Sequence, residues 1–129
     1  GAGLVVRAHV RYLLDHGVDV TVASRTVAKA EDIVNGHPNG TPVAFDIAKE
    51  PERLPGLVAD HDLAVSLLPW AYHPVVARAC LDAGKNMVTT SYVKDEMKAL
   101  DDEARAAGDG VAEPALEVAY ARTGDARRR

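Results

Sequence analysis

Gly1-Ala2-Gly3, with the apolar residues Leu4 and Val5 directly after it, is the stretch of this chain that decides its fold. In a turn from a strand into a helix, the first glycine allows the tight bend, and the second lets backbone N–H groups approach a pyrophosphate. A helix that begins at Leu4 and Val5 offers unpaired N–H groups and its positive dipole end to the same anion. The third position of the motif, where Gly or Ala is usual, is Val6. The pattern predicts a dinucleotide-binding turn, with an ordinary loop at a helix start as the alternative.

Short runs of β-branched residues alternate with longer amphipathic segments, a pattern typical of a parallel sheet with crossover helices. The first helix is expected to stop at Asp15-His16-Gly17, and Thr26 is placed to cap the second. Residues 63–68 form a continuous apolar run, as expected of a parallel strand covered on both faces. The predicted fold is α/β, a Rossmann-like doubly wound parallel sheet. The predicted strands are 18–23, 42–46, 63–68 and 86–89, and the predicted helices are 4–15, 27–35, 51–60 (weak, and broken at Pro55-Gly56), 73–83 and 94–107.

The strand that normally leads into a dinucleotide-binding turn does not precede Gly1. In the usual strand order 3-2-1-4-5-6 that strand is central, so strands 18–23 and 63–68 are expected to have no shared neighbour. We therefore expect a truncated sheet that lacks its first strand. The dinucleotide-binding domain is predicted to cover 1–110. Residues 111–129, where the periodicity fails, are predicted to be a divergent, disordered tail.

Composition and charge place the chain among ordinary globular domains. Its 129 residues are 47% hydrophobic and 26% charged, and the formal net charge of −4 gives no reason to expect nucleic acid or an anionic membrane as partner. The single cysteine, Cys80, excludes an intramolecular disulfide, favours the cytoplasm, and is predicted to be a buried structural thiol. The histidines show no ligand spacing, so no metal site is predicted.

The residues at the end of the predicted strand 18–23 indicate whether the cofactor is NAD or NADP. An NAD enzyme usually places Asp or Glu there for the ribose hydroxyls. Here Ser24, Arg25 and Thr26 offer a guanidinium and two hydroxyls to a 2′-phosphate, so NADP is predicted rather than NAD. The alternative is a capping Ser/Thr pair beside a solvent-facing Arg. Asp46, which ends the next strand, is a candidate for the adenine amino group or, equally, for a cap of the following turn. Residues 66–69 end the strand where the nicotinamide half is expected.

Four stretches together resemble the NADP-binding domain of saccharopine reductases, the NADP-dependent, glutamate-forming saccharopine dehydrogenases of lysine metabolism. They are residues 1–3 (GAG), 20–26 (VTVASRT), 61–69 (HDLAVSLLP) and 88–93 (VTTSYV). The resemblance extends to about Gly110. It implies a Rossmann domain whose larger substrate domain is absent here, NADP as cofactor, and the reversible oxidative deamination of saccharopine to glutamate and aminoadipate semialdehyde.

The resemblance also implies roles for individual residues. Gly1, Gly3, Ser24 and Arg25 would hold the cofactor phosphates, Ser66, Leu67 and Pro69 would line the cofactor, and Thr90, Ser91 and Tyr92 would lie near the nicotinamide and substrate. The hydroxyls of Ser91 and Tyr92 suit a water or carboxylate at a reacting imine, and a helix N-cap is the alternative for Ser91. His73 also follows the family and is either an acid/base group or a polar residue that begins a helix.

After Gly110 the chain departs from the family. Where the family has Asn-Glu-Ile-Gly-Leu-Asp-Pro-Gly with an active-site Asp, residues 112–119 read AEPALEVA. Glu117 replaces the Asp, and the glycines that give such a turn its backbone freedom are lost. Glu117 joins Ser91 and Tyr92 as the candidate catalytic residues. Because a catalytic constellation must be held closely, we expect the chain alone to be inactive.

Three functions remain open from the sequence. The first is a piece of an NADP-dependent oxidoreductase that acts on saccharopine. The second is a non-catalytic NADP-binding module or pseudoenzyme, and the third is a related imine reductase of polyamine metabolism. The expected partner is a small amino-acid substrate of the saccharopine type, not nucleic acid or a membrane. A homodimer is an open alternative for the full-length protein.

Overall fold

The computed structural model describes residues 4–89 and 95–107, and these divide into two compact units, Gly1–Pro51 and Glu52–Arg129. Unit 1 contains α1 (Leu4–Asp15), β1 (Val20–Ser24), α2 (Val27–Val34) and β2 (Gly40–Ala44). After a 3₁₀ turn at Pro51–Arg53, unit 2 contains α3 (Leu54–Ala59), β3 (Leu63–Ser66), a 3₁₀ turn at Trp70–Tyr72, α4 (His73–Ala83), β4 (Asn86–Thr89) and α5 (Asp95–Ala107).

Unit 1 is a β-α-β unit with one further helix in front of it. Strands β1 and β2 are parallel, with Val20 opposite Gly40 and Ser24 opposite Ala44. Gly17, which follows α1, has a φ of +78°, the left-handed conformation that ends helices and that glycine adopts without strain. The helices and β1 share one apolar core made of Val10, Leu14, Val22, Ala30, Ile33 and Val34.

Unit 2 is a second parallel β-α-β unit, in which Leu63 lies opposite Asn86 and Ser66 opposite Thr89. Helix α4 contacts both strands, β3 and β4, and the two helices α3 and α5. Cys80 on α4 and Met87 on β4 are fully buried. The prediction that Cys80 is a buried thiol is therefore confirmed.

The α/β class with parallel strands is confirmed, and the described residues contain no strand that pairs with both β1 and β3. The strand at 86–89 and the helix at 73–83 have the predicted bounds. The predicted break at Pro55-Gly56 was wrong, because α3 is continuous across these two residues. Pro55 lies in the first turn of α3, where a missing N–H costs no helical hydrogen bond. Full burial of β3 was also wrong, because Leu63 is 47% and Val65 36% exposed.

None of the helices within residues 4–89 and 95–107 has the length and hydropathy of a membrane-spanning segment. The predicted tail at 111–129 lies outside the described residues.

Candidate functional site

The carboxyl end of β1 carries the first group of predicted cofactor residues. Ser24 is the last residue of β1, and its Oγ accepts a hydrogen bond from the backbone N–H of Thr26 at 3.3 Å. Thr26 is the N-cap residue of α2, as predicted, but its side chain makes no capping hydrogen bond. Because the turn is held by Ser24 rather than by Thr26, the Thr26 hydroxyl is left for another partner.

Arg25 stands between these two residues and is exposed. Its guanidinium makes no hydrogen bond or ion pair with any part of the chain that the structure describes. No carboxylate occupies the end of β1, whose last residues are Ala23 and Ser24. A cation at a strand end, beside the N-terminus of a helix, is an arrangement that attracts phosphate.

The carboxyl end of β2 is tied to that of β1, because the N–H of Phe45 donates to the Ser24 carbonyl at 2.9 Å. The next residue, Asp46, shapes the turn that follows: its Oδ1 accepts from the N–H of Ala48 at 3.0 Å, and its carbonyl accepts from those of Lys49 and Glu50. Of the two roles predicted for Asp46, the structure shows the turn cap. The contact with adenine stays a prediction for the second carboxylate oxygen.

The carboxyl end of β3 carries the second group of predicted cofactor residues. Leu67 is half-buried, and Pro69 is exposed and precedes the 3₁₀ turn Trp70–Tyr72. The side chain of Ser66 is buried, with 3% exposure, and its Oγ lies 2.8 Å from Nδ1 of His73. The Ser66 hydroxyl is therefore directed into the protein, and contact of Ser66 with a cofactor is left to its main chain.

His73, the first residue of α4, is the centre of a buried polar cluster. Its Nε2 lies 3.1 Å from Oγ1 of Thr89, the last residue of β4, and both side chains are buried. Burial lowers the pKa of His73, which favours the neutral ring. Of the two roles predicted for His73, the bonds fit the polar residue at a helix start, because hydroxyl groups occupy both ring nitrogens.

Sequence reasoning named Ser66 and His73 separately and did not join them to Thr89. The signal was present, because a hydroxyl residue ends each of two apolar strands and a histidine begins the helix between them. Parallel strands place their carboxyl ends at one edge, and the Ser66–Thr89 register brings the two hydroxyls to one imidazole.

The remaining candidate residues have limited or no description. Leu4 and Val5 are the first two residues of α1, and Gly1, Gly3, Thr90, Ser91, Tyr92 and Glu117 lie outside the described residues. Where the structure describes the chain, the His, Cys, Asp and Glu side chains form no group of three or more that could hold a metal ion.

In each unit an exposed ion pair joins two helices. Arg7 of α1 contacts Asp32 of α2, and Arg78 of α4 binds Glu103 of α5 through two hydrogen bonds of 2.6 and 2.7 Å. The bonds to Glu103 raise the pKa of Arg78, and the same bonds lower that of Glu103. Exposed pairs of this kind contribute little to stability.

Comparison with known proteins identifies the family to which this chain is similar. The family model described as "Saccharopine dehydrogenase NADP binding domain" matches residues 1–110. Saccharopine dehydrogenase (NADP(+), L-glutamate-forming) of Schizosaccharomyces pombe is 40% identical over 109 residues, which are 84% of this chain and 24% of that protein. The mitochondrial alpha-aminoadipic semialdehyde synthase of Bos taurus is 38% identical over 109 residues, 84% of this chain and 12% of that protein.

The apo structure of saccharopine dehydrogenase (L-Glu forming) from Saccharomyces cerevisiae matches with a TM-score of 0.75 and 29% identity, over 84% of this chain and 24% of that one. This likeness confirms the predicted Rossmann-like fold. The chain spans about a quarter of the length of the saccharopine dehydrogenases that it matches.

Proposed function

We propose, from the premise that this chain belongs to the saccharopine dehydrogenase NADP-binding domain family with NADP as its cofactor, that the ends of its strands hold NADP. The reaction that we propose for the bound cofactor is the oxidative deamination of saccharopine. The observation that carries the proposal is Arg25, an exposed guanidinium with no partner in the described chain, at a strand end without a carboxylate. Such an end accommodates a 2′-phosphate, whereas Asp or Glu at this place would repel it.

We assign the adenosine half of the cofactor to unit 1. Arg25 provides the positive charge. The hydroxyl of Thr26, which makes no capping hydrogen bond to α2, is a second hydrogen-bond donor to the 2′-phosphate. Asp46 keeps one carboxylate oxygen for the adenine amino group while the other holds its turn. The remaining residues of this half are Ser24 beside the 2′-phosphate, and Gly1, Gly3, Leu4 and Val5 at the pyrophosphate.

We assign the nicotinamide half to the strand ends of unit 2. Leu67 and Pro69 offer apolar surface to the nicotinamide ring, and Ser66 offers its main chain. Thr90 completes this part of the cofactor site in our proposal. Ser91, Tyr92 and Glu117 are the residues proposed to touch the reacting groups of the substrate.

Bound NADP⁺ would supply the hydride acceptor for the oxidation of saccharopine. The hydride would leave the carbon that becomes the aldehyde of aminoadipate semialdehyde, the amine nitrogen would lose its proton, and water would cleave the resulting imine to glutamate and aminoadipate semialdehyde. In this scheme the hydroxyls of Ser91 and Tyr92 orient the water or a substrate carboxylate, and Glu117 accepts the proton from the amine nitrogen.

Ligand binding by purified residues 1–129 tests the cofactor assignment. We expect NADPH to bind about tenfold more tightly than NADH, since one charge-assisted hydrogen bond to the 2′-phosphate is worth about that factor. In competition, 2′,5′-ADP should displace NADPH while 5′-AMP, which lacks the 2′-phosphate, should be much weaker. Equal affinities for NADPH and NADH would contradict the assignment.

Turnover is tested separately, with saccharopine and NADP⁺ added to the same preparation. We expect no NADPH to form, because the family model that matches this chain describes the cofactor-binding domain and not the substrate domain. Measurable NADPH formation would show that residues 1–129 suffice for the reaction.

A further inference from the structure

A short loop leaves β3 and returns to the same place at the start of α4. It comprises residues 67–72, between Ser66 and His73, and it contains the exposed residues Pro69 and Trp70. The hydrogen bond between Ser66 Oγ and His73 Nδ1 joins the two residues that flank this loop. The two ends of loop 67–72 are therefore held together by this hydrogen bond, whatever the residues in the middle of the loop contact.

The same imidazole fixes a second strand end. Through its Nε2, His73 is bonded to Thr89, which lies directly opposite Ser66 in the parallel pair β3–β4. A neutral imidazole donates at one nitrogen and accepts at the other, so it can satisfy two hydroxyls at once. All three side chains are buried, with exposures of 3% for Ser66, 3% for His73 and 7% for Thr89.

Buried polar clusters of this kind tolerate little displacement. In a low-dielectric interior each hydrogen bond is strong, and a partner left without its bond is costly, so a satisfied network fixes its members in one arrangement. The pKa of His73 is lowered by burial, which keeps the ring in the neutral form that this bonding pattern needs.

We propose that His73 is a positioning residue for the nicotinamide half of NADP: by bonding Ser66 and Thr89 at once, it holds the ends of β3 and β4 and the base of loop 67–72 where the cofactor lies. This inference rests on the assignment of those strand ends to the nicotinamide half in the proposed function. His73 acts through its neighbours and need not touch the cofactor itself.

The two bonds can be removed separately. His73→Asn keeps a polar atom near the position of Nδ1, toward Ser66, and His73→Gln keeps one near Nε2, toward Thr89, whereas His73→Leu removes both. We expect His73→Leu to weaken NADPH binding by about tenfold, the effect of one lost hydrogen bond, and the Asn and Gln variants to lose less. Binding of 2′,5′-ADP, which has no nicotinamide half, should change by less than about twofold in all three.

Ser66→Ala removes the bond to Nδ1 of His73 and Thr89→Val removes the bond to Nε2, each at small cost in volume, and these variants replace His73→Leu if that variant does not fold. Thr89→Ser restores the hydroxyl and should recover NADPH affinity. His61→Gln, a histidine change elsewhere in unit 2, is the matched control and should leave both affinities unchanged.

The split between the two ligands separates positioning from mere stabilisation. A purely structural role would lower the unfolding temperature while the folded variants bound NADPH as the wild type does, and that result would overturn the inference alone. Equal loss of NADPH and 2′,5′-ADP binding would also overturn it. If the wild-type chain bound neither ligand, the proposed function would fail and this inference with it.

Discussion

Replacing Arg25 with alanine removes the positive charge that we propose selects NADP over NAD. Arg25 is exposed and has no partner in the described chain, so its loss leaves no buried group unpaired. We therefore expect the free energy of unfolding to change by no more than about 0.5 kcal/mol. Any large effect of Arg25→Ala on binding then belongs to the ligand contact and not to the fold.

The size of the binding effect follows from the same exposure. Hydrogen bonds to charged groups are worth about 1.5–3 kcal/mol, and solvent screening of an exposed pair places Arg25 at the low end. A loss of about 1.4 kcal/mol corresponds to about tenfold in the dissociation constant. Arg25→Ala should thus weaken NADPH binding by about tenfold and leave NADH binding within about twofold, since NADH has no 2′-phosphate.

The assay is a fluorescence titration of both reduced nucleotides against wild type, Arg25→Ala and Arg25→Lys. Lysine keeps the charge and loses the two-pronged guanidinium geometry, so its NADPH affinity should lie between the other two. Lys98→Ala is the control, because it removes one exposed positive charge from α5. Equal losses for NADPH and NADH, or an equal loss in Lys98→Ala, would refute the local 2′-phosphate contact.

Two further predictions concern the cores that carry these strand ends. Burial raises the pKa of Cys80 to about 11. A thiol reagent at about pH 8 should therefore modify Cys80 about a hundredfold more slowly in the native chain than in urea, and the native rate should rise with pH. Equal rates in the two conditions would contradict the burial of Cys80. A Cβ at Gly40 would lie 2.4 Å from Cγ1 of the buried Val34, so Gly40→Ala should lower the free energy of unfolding by about 1–3 kcal/mol. Urea denaturation should show a smaller cost when the same change is made in a Val34→Ala background, and an unchanged cost would mean that the two residues do not clash.

Local signals in the sequence predicted the helices that end at a glycine or an asparagine. Gly84, with a φ of +66°, ends α4 at the predicted residue, and Asn35, with a φ of 50°, ends α2 in the same left-handed conformation. These residues adopt that conformation at low cost, so their positions define helix ends without knowledge of tertiary contacts. The register of β3 and β4 depends on how the two segments meet, so the hydroxyl residues and the histidine in the sequence indicate the Ser66–His73 bond only once that register is known.

The exposure of β3 and the continuity of α3 show where pattern reasoning failed. An apolar run such as 63–68 shows that a strand could be buried on both faces. Whether its side chains are buried depends on the elements that pack against it. Pro55 reads as a helix breaker unless the helix start is known to within one residue, and the 3₁₀ turn before α3 moves that start. The candidate residues at the end of β1 lie within one turn, so the sequence alone places them side by side, and their contact with the cofactor stays a prediction.

The short span of each strand pair has a consequence for how the chain acquires its structure. Val20 pairs with Gly40 and Leu63 with Asn86, so the paired residues are 20 and 23 positions apart. Closing loops of that size costs little chain entropy, and low sequence separation favours rapid folding. Each β-α-β unit is therefore able to nucleate its own pairing as soon as its second strand leaves the ribosome, and amide exchange should report two protected cooperative segments rather than one.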